Sequence, residues 1–215
     1  DMLHHIKAVC RGTQRALVVG DMPFLSYHTG VRDSVKNAGR LVQEGGCKAV
    51  KLEGGKEVVD SVSAIVSAGI PVMGHLGLTP QSIHMIGGHK AQGKTVDAAR
   101  RLVEDAQELQ DAGAFAIVLE CVPFRLAEHI TGILGVPTIG IGSGAGCDGQ
   151  VLVTPDVIGM FRDFSPKHSK KYCNMGDTLE GAVKTYIEEV RGGAFPTEKN
   201  SFQMDEQVIE TLKRG

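Results

Sequence analysis

Five ionisable residues stand at the ends of short apolar runs. Asp21 follows ALVVG, Lys51 and Glu53 lie at the end of KAVKL, His75 follows IPVMG, and Glu120 follows FAIVL. Residues two apart on a strand share a face, so Lys51 and Glu53 point one way and Leu52 the other. With Leu52 set against outer helices, Lys51 and Glu53 face an interior. Each residue alone has an ordinary reading. An acid after a strand is often the N-cap of the next helix, a lone His75 is often structural, and Lys51 with Glu53 would serve as a buried ion pair. Together they would load one small mouth with charge, which costs several kcal/mol per ion unless the charges pair or hold a metal. Two acids and a lysine suit oxygen chemistry around a hard cation. Mg²⁺ takes one or two carboxylates and fills its remaining positions with water or substrate oxygens. A further carboxylate on a neighbouring strand would then serve as a base. The chain has no Cys/His cluster of the kind that binds zinc.

The elements that must position these residues follow from pattern. The apolar runs Ala16–Gly20, Lys48–Leu52, Ile70–Gly74, Phe115–Leu119, Pro137–Ile141 and Gln150–Val153 are near-continuous, which predicts strands buried on both faces, as in a parallel sheet. Helical periodicity covers Met2–Cys10, Val31–Glu44 (with Val31, Val35, Ala38 and Leu41–Val42 on one stripe), Val58–Ala68 and Val96–Ala112. Gly45–Gly46, Gly69, Gly113 and Gly135 are placed to end helices in the left-handed conformation. The alternation predicts an α/β fold with a parallel sheet and outer helices, whose reactive groups gather at the C-terminal strand ends. A closed (β/α)8 barrel needs eight strands, and six are legible here. The chain also opens inside a helix. The expectation is therefore a barrel whose first two strands lie outside this sequence, with an open doubly wound sheet as the alternative.

Residues 1–192 are expected to form the single barrel domain, and residues 193–215 a tail packed on it or on a neighbouring subunit. The polar, Gly-rich segment after His75 reads as an insertion over the barrel mouth, placed as a lid would be, with Thr79 as N-cap and Pro80 at the first helical position. Helices are also expected over Thr178–Arg191 and Asp205–Lys213. Gly140, Gly142, Gly144 and Gly146 resemble a dinucleotide fingerprint, but no long helix follows them, so they are better read as points of close backbone approach.

Composition excludes other classes. The 215 residues are 42% hydrophobic and 22% charged with a net charge of -2, a soluble globular profile without the basic footprint of a nucleic-acid binder. No apolar run approaches the roughly 20 residues that span a bilayer. The charged N-terminus reads as helix and not as a signal peptide. The five cysteines, Cys10, Cys47, Cys121, Cys147 and Cys173, are scattered, and read as buried reduced thiols instead of a disulfide framework.

Several strings carry a resemblance: GDMPF (Gly20–Phe24), VKLEGG (Val50–Gly55), GHLGLTPQS (Gly74–Ser82), GGHKAQGK (Gly87–Lys94), VLECVP (Val118–Pro123), PTIGIGSGAGCDG (Pro137–Gly149) and QVLV (Gln150–Val153). With Phe195–Pro196 and Ser201–Phe202 they extend it to about residue 202. The sequence resembles the ketopantoate hydroxymethyltransferases, whose fold is similar to the phosphoenolpyruvate mutase and isocitrate lyase barrels. The resemblance implies transfer of a hydroxymethyl group from 5,10-methylenetetrahydrofolate to 3-methyl-2-oxobutanoate through a Mg²⁺-stabilised enolate. The product, 2-dehydropantoate (ketopantoate), leads to pantothenate and coenzyme A.

By motif, the resemblance makes Asp21 a Mg²⁺ ligand at the substrate and Glu53 a ligand or supporting acid of the metal. It makes Lys51 the holder of the oxo acid, His75 a neighbour of the substrate oxygens and Glu120 the catalytic base. It also implies a cytoplasmic (in a eukaryote, also mitochondrial) homo-oligomer, a decamer by family likeness, with no nucleic-acid or membrane partner. The family's Gly-Asp-Ser motif, which supplies a metal-binding Asp and a substrate-binding Ser, has no match in this chain. A lyase or mutase on a related oxo acid would share the metal site. A non-enzymatic relative, or one part of a split barrel, is the reading from another class.

Overall fold

Every strand that ends in a candidate residue joins one parallel sheet. The structure is a computed structural model and describes residues 1–88, 90–163 and 165–214. His89 of the GGHKAQGK string lies outside the described residues. In chain order, α1 (Met2–Gly12) leads to β1 (Val19–Asp21) and α2 (Val31–Arg40), which runs into a π-helical turn (Leu41–Gly45). Then come β2 (Ala49–Glu53), a 3-10 turn (Lys56–Val58), α3 (Val59–Ser67), β3 (Val72–Gly77), a 3-10 turn (Pro80–Ser82) and α4 (Ile83–Ile86). Next are α5 (Val96–Asp111), β4 (Ala116–Glu120), α6 (Phe124–Ile133), β5 (Thr138–Ile141) and β6 (Gly149–Gln150).

Spatial order follows chain order from β1 to β6, all parallel. A doubly wound sheet reverses its winding at a switch point. This sheet does not, so among the described residues it forms six-stranded barrel wall and not a doubly wound sheet. Register then brings the strand ends together: Asp21 pairs with Lys51, Glu53 with His75, and Gly77 with Glu120.

The wall is held from its outer face. Leu52, Val72, Ile117 and Leu119 are fully buried, as are Val62 and Ile65 of α3, Ala106 and Leu109 of α5, and Ala127 and Ile130 of α6. Full burial of a large aliphatic side chain is worth about 2 kcal/mol, so this outer layer fixes the sheet and leaves its other face for polar groups.

Strand positions expected from sequence shift by one to three residues at their starts, and all six are present. The α2 stripe differs. Val31 is exposed, and the buried line is Ser34, Ala38, Leu41 and Gly45. Ser34 is tolerated inside because its Oγ lies 2.9 Å from Ser61 Oγ and 3.1 Å from the carbonyls of Tyr27 and Gly30. Apolar periodicity is blind to a satisfied serine. Gly46, Gly69 and Gly113 are left-handed as expected; Gly135 is not, because α6 ends at Leu134 in extended backbone. The five cysteines form no disulfide, but only Cys47 is buried and Cys173 is exposed, which corrects the expectation of uniformly buried thiols.

Asp105 on α5 yields a stability prediction. Its Oδ1 accepts from Lys56 N at 3.0 Å. Burial pushes its carboxyl above the usual aspartate range; the Lys56 N–H opposes this, and Glu57, Glu108 and Glu104 add to it. A carboxyl raised in the folded state loses stability as pH climbs from its unfolded value through its folded one. Asp105→Asn keeps the acceptor and drops the charge. Its Tm should rise by roughly 2 °C near neutral pH, and the gain should vanish as pH falls into the ordinary aspartate range. Scanning calorimetry across pH checks this; an equal gain at all pH values would refute the charge explanation.

Residues 153–215 form a second compact unit, the first ending at Leu152. It contains α7 (Thr154–Val157), α8 (Met175–Gly192), a 3-10 turn (Glu198–Asn200) and α9 (Glu206–Lys213). The expected helix Thr178–Arg191 lies inside α8, and Asp205–Lys213 coincides with α9 to within a residue. Arg162 pairs with Asp177 and Glu180, tying α8 to the segment before it. Among the described residues, no helix is long and apolar enough to cross a membrane.

Candidate active site

The five residues singled out by type and position form one connected cluster across four strand ends. Lys51 Nζ lies 2.9 Å from Asp21 Oδ1, 3.1 Å from His75 Nδ1 and 3.5 Å from Glu53 Oε1. On the far side of the imidazole, His75 Nε2 lies 3.2 Å from Glu120 Oε2. An ammonium group donates and cannot accept. In the neutral ring His75 Nδ1 accepts from Lys51 and the proton sits on Nε2, on the Glu120 side, where it makes no aligned hydrogen bond.

Exposure sorts these groups by depth. The side chains of Glu53 and His75 are 5% and 4% exposed and form the floor, whereas Asp21 is 41% exposed and stands at the opening. Burial alone would raise the Glu53 carboxyl. His75, Lys51 and the Gln81 amide outweigh it and hold Glu53 below the usual glutamate range. For His75, burial pulls the pKa down, but the contacts with Glu120 and Glu53 prevail and lift it above its ordinary value. Charge is thus shared along the line and not isolated on one residue.

Two residues at the centre of this site fall outside the sequence-based expectations. Tyr27 OH donates to Gln81 Oε1 at 2.9 Å and accepts from Glu53 N at 3.2 Å. Gln81 N donates to Glu53 Oε2, and Gln81 Nε2 donates to Met22 O, both at 2.9 Å. Burial holds the Tyr27 hydroxyl well above the usual phenol range, so it stays a neutral donor. Gln81 has a signal in GHLGLTPQS, directly after Pro80; Tyr27 sits between elements with no pattern to mark it.

The end of β4 is braced on both sides. Ser143 Oγ donates to Leu119 O at 2.7 Å and accepts from Val122 N at 3.1 Å, so it spans Glu120. Cys121 adopts a left-handed φ of 52° that redirects the chain just after Glu120. The glycine loop after β5 leads to β6 without a helix and presses on α6: a Cβ on Gly144 would come 2.5 Å from Phe124 Cβ. Close approach, and not a dinucleotide fingerprint, explains these glycines.

From β3, Leu78 N donates to Glu120 O at 2.8 Å. Gly77 has φ 92°, and a Cβ there would stand 2.2 Å from Glu120 O. Gly77→Ala combines a disfavoured φ with overlap against backbone, at a cost of about 2–4 kcal/mol. Chemical denaturation should show that loss; a midpoint within error of the parent would disprove the close approach.

A divalent cation fits the oxygen chemistry at the opening. Asp21 Oδ1 is buried and, although near Lys51 Nζ, is not aligned to accept its hydrogen bond. It is an acceptor with unused capacity. Among the described residues no three His, Cys, Asp or Glu groups form a ready cage. A cation here would take Asp21 and complete its shell with water and ligand oxygens, the habit of Mg²⁺. Both Glu53 oxygens already face Lys51, His75 or Gln81 N, which places Glu53 behind such an ion.

Comparison with known proteins bears on the family and the fold. The profile of the family described as ketopantoate hydroxymethyltransferase matches residues 1–198. A 3-methyl-2-oxobutanoate hydroxymethyltransferase of Acetivibrio thermocellus is 65% identical over 214 residues, which are 100% of this chain and 76% of that protein. The enzyme of the same name from Clostridium novyi is 57% identical over 212 residues, covering 99% and 77%. Among solved structures, a proposed phosphonomutase from Burkholderia cenocepacia J2315 matches with a TM-score of 0.55 at 12% identity, covering 89% of this chain and 76% of that one. That likeness speaks for the fold alone. The match over residues 1–198, with two such relatives across essentially the whole chain, places this protein in the ketopantoate hydroxymethyltransferase family.

Proposed function

We propose that this protein transfers a hydroxymethyl group from 5,10-methylenetetrahydrofolate to 3-methyl-2-oxobutanoate, giving ketopantoate for pantothenate and coenzyme A synthesis. The names of its relatives support the substrate. The observation that carries the chemistry is the succession of close contacts Asp21–Lys51–His75–Glu120, at 2.9, 3.1 and 3.2 Å.

In this reading Asp21 would hold Mg²⁺ with Glu53 behind it, and the ion would supply Lewis acidity toward the oxo acid. Lys51 orients those oxygens and offsets negative charge as C3 loses its proton. Glu120 receives that proton on a carboxylate oxygen. His75 sets its Nε2 3.2 Å from Glu120 Oε2, while Glu53 and Asp21 flank the Lys51 ammonium. Loss of the proton leaves C3 nucleophilic toward the one-carbon unit: a C3–CH₂ bond forms, the two bonds from that carbon to the folate nitrogens break, water supplies the hydroxyl, and tetrahydrofolate leaves with the proton from C3 and one from water. Two further strands, carrying the family's Gly-Asp-Ser motif, would close the barrel and complete the cation's ligands. Family likeness also supports a cytoplasmic homo-oligomer.

Isotope exchange tests this directly. In D₂O with Mg²⁺ and no folate, the protein should wash deuterium into C3 of 3-methyl-2-oxobutanoate; ketopantoate should appear only when methylenetetrahydrofolate is added. Absence of Mg²⁺-dependent exchange would sink the reading. A reaction of the oxo acid that ignores folate would instead favour a lyase or mutase.

A further inference from the structure

The segment Leu78–Gln81 leaves β3 and touches three other strand ends: Glu120 of β4 through Leu78 N, Glu53 of β2 through Gln81 N, and Met22, next to Asp21 of β1, through Gln81 Nε2. Gln81 is the hub. Its backbone N–H, side-chain NH₂ and side-chain carbonyl each have a partner at 2.9 Å, and the carbonyl's partner, Tyr27 OH, itself accepts from Glu53 N at 3.2 Å. Tyr27 is 2% exposed. These bonds connect the backbone just after Asp21 with both the backbone and the carboxylate of Glu53. β1 and β2 are otherwise joined by a ladder of three residue pairs that stops at Asp21 and Lys51, by the bonds from Lys48 N to Val18 O and Met22 N to Lys51 O, and by the contact of Lys51 Nζ with Asp21 Oδ1. No backbone bond of that ladder reaches Glu53; apart from the Lys51 ammonium between the two carboxylates, Gln81 and Tyr27 are what fix Glu53 relative to Asp21.

We infer that Gln81, supported by Tyr27, is a positioning residue that sets the spacing of the Asp21 and Glu53 carboxylates and thereby the protein's affinity for a divalent cation. Gln81 does not ligate the ion: its amide groups are already engaged. It acts by holding β1 and β2 at one separation and by drawing Glu53 Oε2 away from the ion. A small octahedral cation tolerates little error in ligand position, so a loosened pair of strand ends loses affinity before it loses fold. The inference rests on the proposed cation-dependent function.

Calorimetric titration of the intact protein with MgCl₂, and with MnCl₂ followed by electron paramagnetic resonance, tests it without turnover. Gln81→Met keeps length and removes both side-chain bonds. It should weaken Mg²⁺ and Mn²⁺ binding by about tenfold, the usual size of effect when a ligand's supporting contact is lost. In turnover assays the defect should appear more in the Mg²⁺ concentration required than in the limiting rate. Tyr27→Phe deletes one hydroxyl, is the safer variant for folding, and should shift affinity the same way by about threefold. Gln81→Asn retains the amide on a shorter arm and should fall between Gln81→Met and the parent. Cation affinity within twofold of the parent in both Gln81→Met and Tyr27→Phe, with only Tm lowered, would overturn the inference and assign these bonds a purely structural role. A parent protein that binds neither cation would overturn the proposed function, and this inference with it.

Discussion

Glu120→Gln is expected to abolish exchange of the C3 proton of 3-methyl-2-oxobutanoate, by about 1,000-fold or more, while leaving oxo-acid binding within a few-fold of the parent. A positioned general base contributes on the order of 10² to 10⁴ in rate, and an amide of the same shape cannot accept the proton. The substitution should be structurally mild. Glu120 is held mainly through its backbone: its carbonyl accepts from Leu78 N, it pairs with Gly77 and Ile141, and Ser143 clasps the residues on either side. None of these contacts uses the carboxylate. Among the described residues the carboxylate lies close to His75 Nε2, at 3.2 Å, and the glutamine carbonyl oxygen can take the same place. Proton NMR in D₂O reads exchange, and calorimetry reads binding. Exchange in the variant within tenfold of the parent would remove Glu120 from the role of base.

Glu120 is legible from sequence because an acid directly after a buried apolar run, in an alternating pattern, must sit at a C-terminal strand end. A periodicity of two likewise fixes which side Lys51 and Glu53 share. Local rules suffice for the five candidate residues because each depends on its own strand. The sequential strand order is legible for the same reason, since short crossovers join neighbours. Tyr27, Ser34, Gln81 and Ser143 are not legible. Their roles come from hydrogen bonds to residues between 7 and 59 positions away, and a buried polar residue leaves no periodic trace. The glycine loop after β5 announces a close approach by its composition, but its partner, Phe124 at the start of α6, emerges only in three dimensions.

Lys51→Met should lower kcat/KM for the oxo acid by about 1,000-fold, near 4 kcal/mol, through loss of the charge that offsets the forming enolate. It should also destabilise the fold by about 3 kcal/mol, because removing one partner of a largely buried ion cluster strands the others. In the parent, Lys51 faces two carboxylates and the imidazole, and the variant leaves Asp21 and Glu53 with His75 as their only nearby basic group among these contacts. The pH dependence separates this explanation from simple loss of packing. With Lys51 present, the Glu53 carboxyl lies below its ordinary value despite burial. A depressed carboxyl adds stability above its unfolded pKa and loses it as pH falls through the folded one. Methionine removes the lysine's share, so the stability gap between parent and variant should be widest near neutral pH and narrow once pH drops through the ordinary glutamate range. Urea melts at several pH values would measure the gap. A gap independent of pH, or kcat/KM within tenfold of the parent, would mean that the ammonium group is not what joins the ends of β1, β2 and β3 into one site.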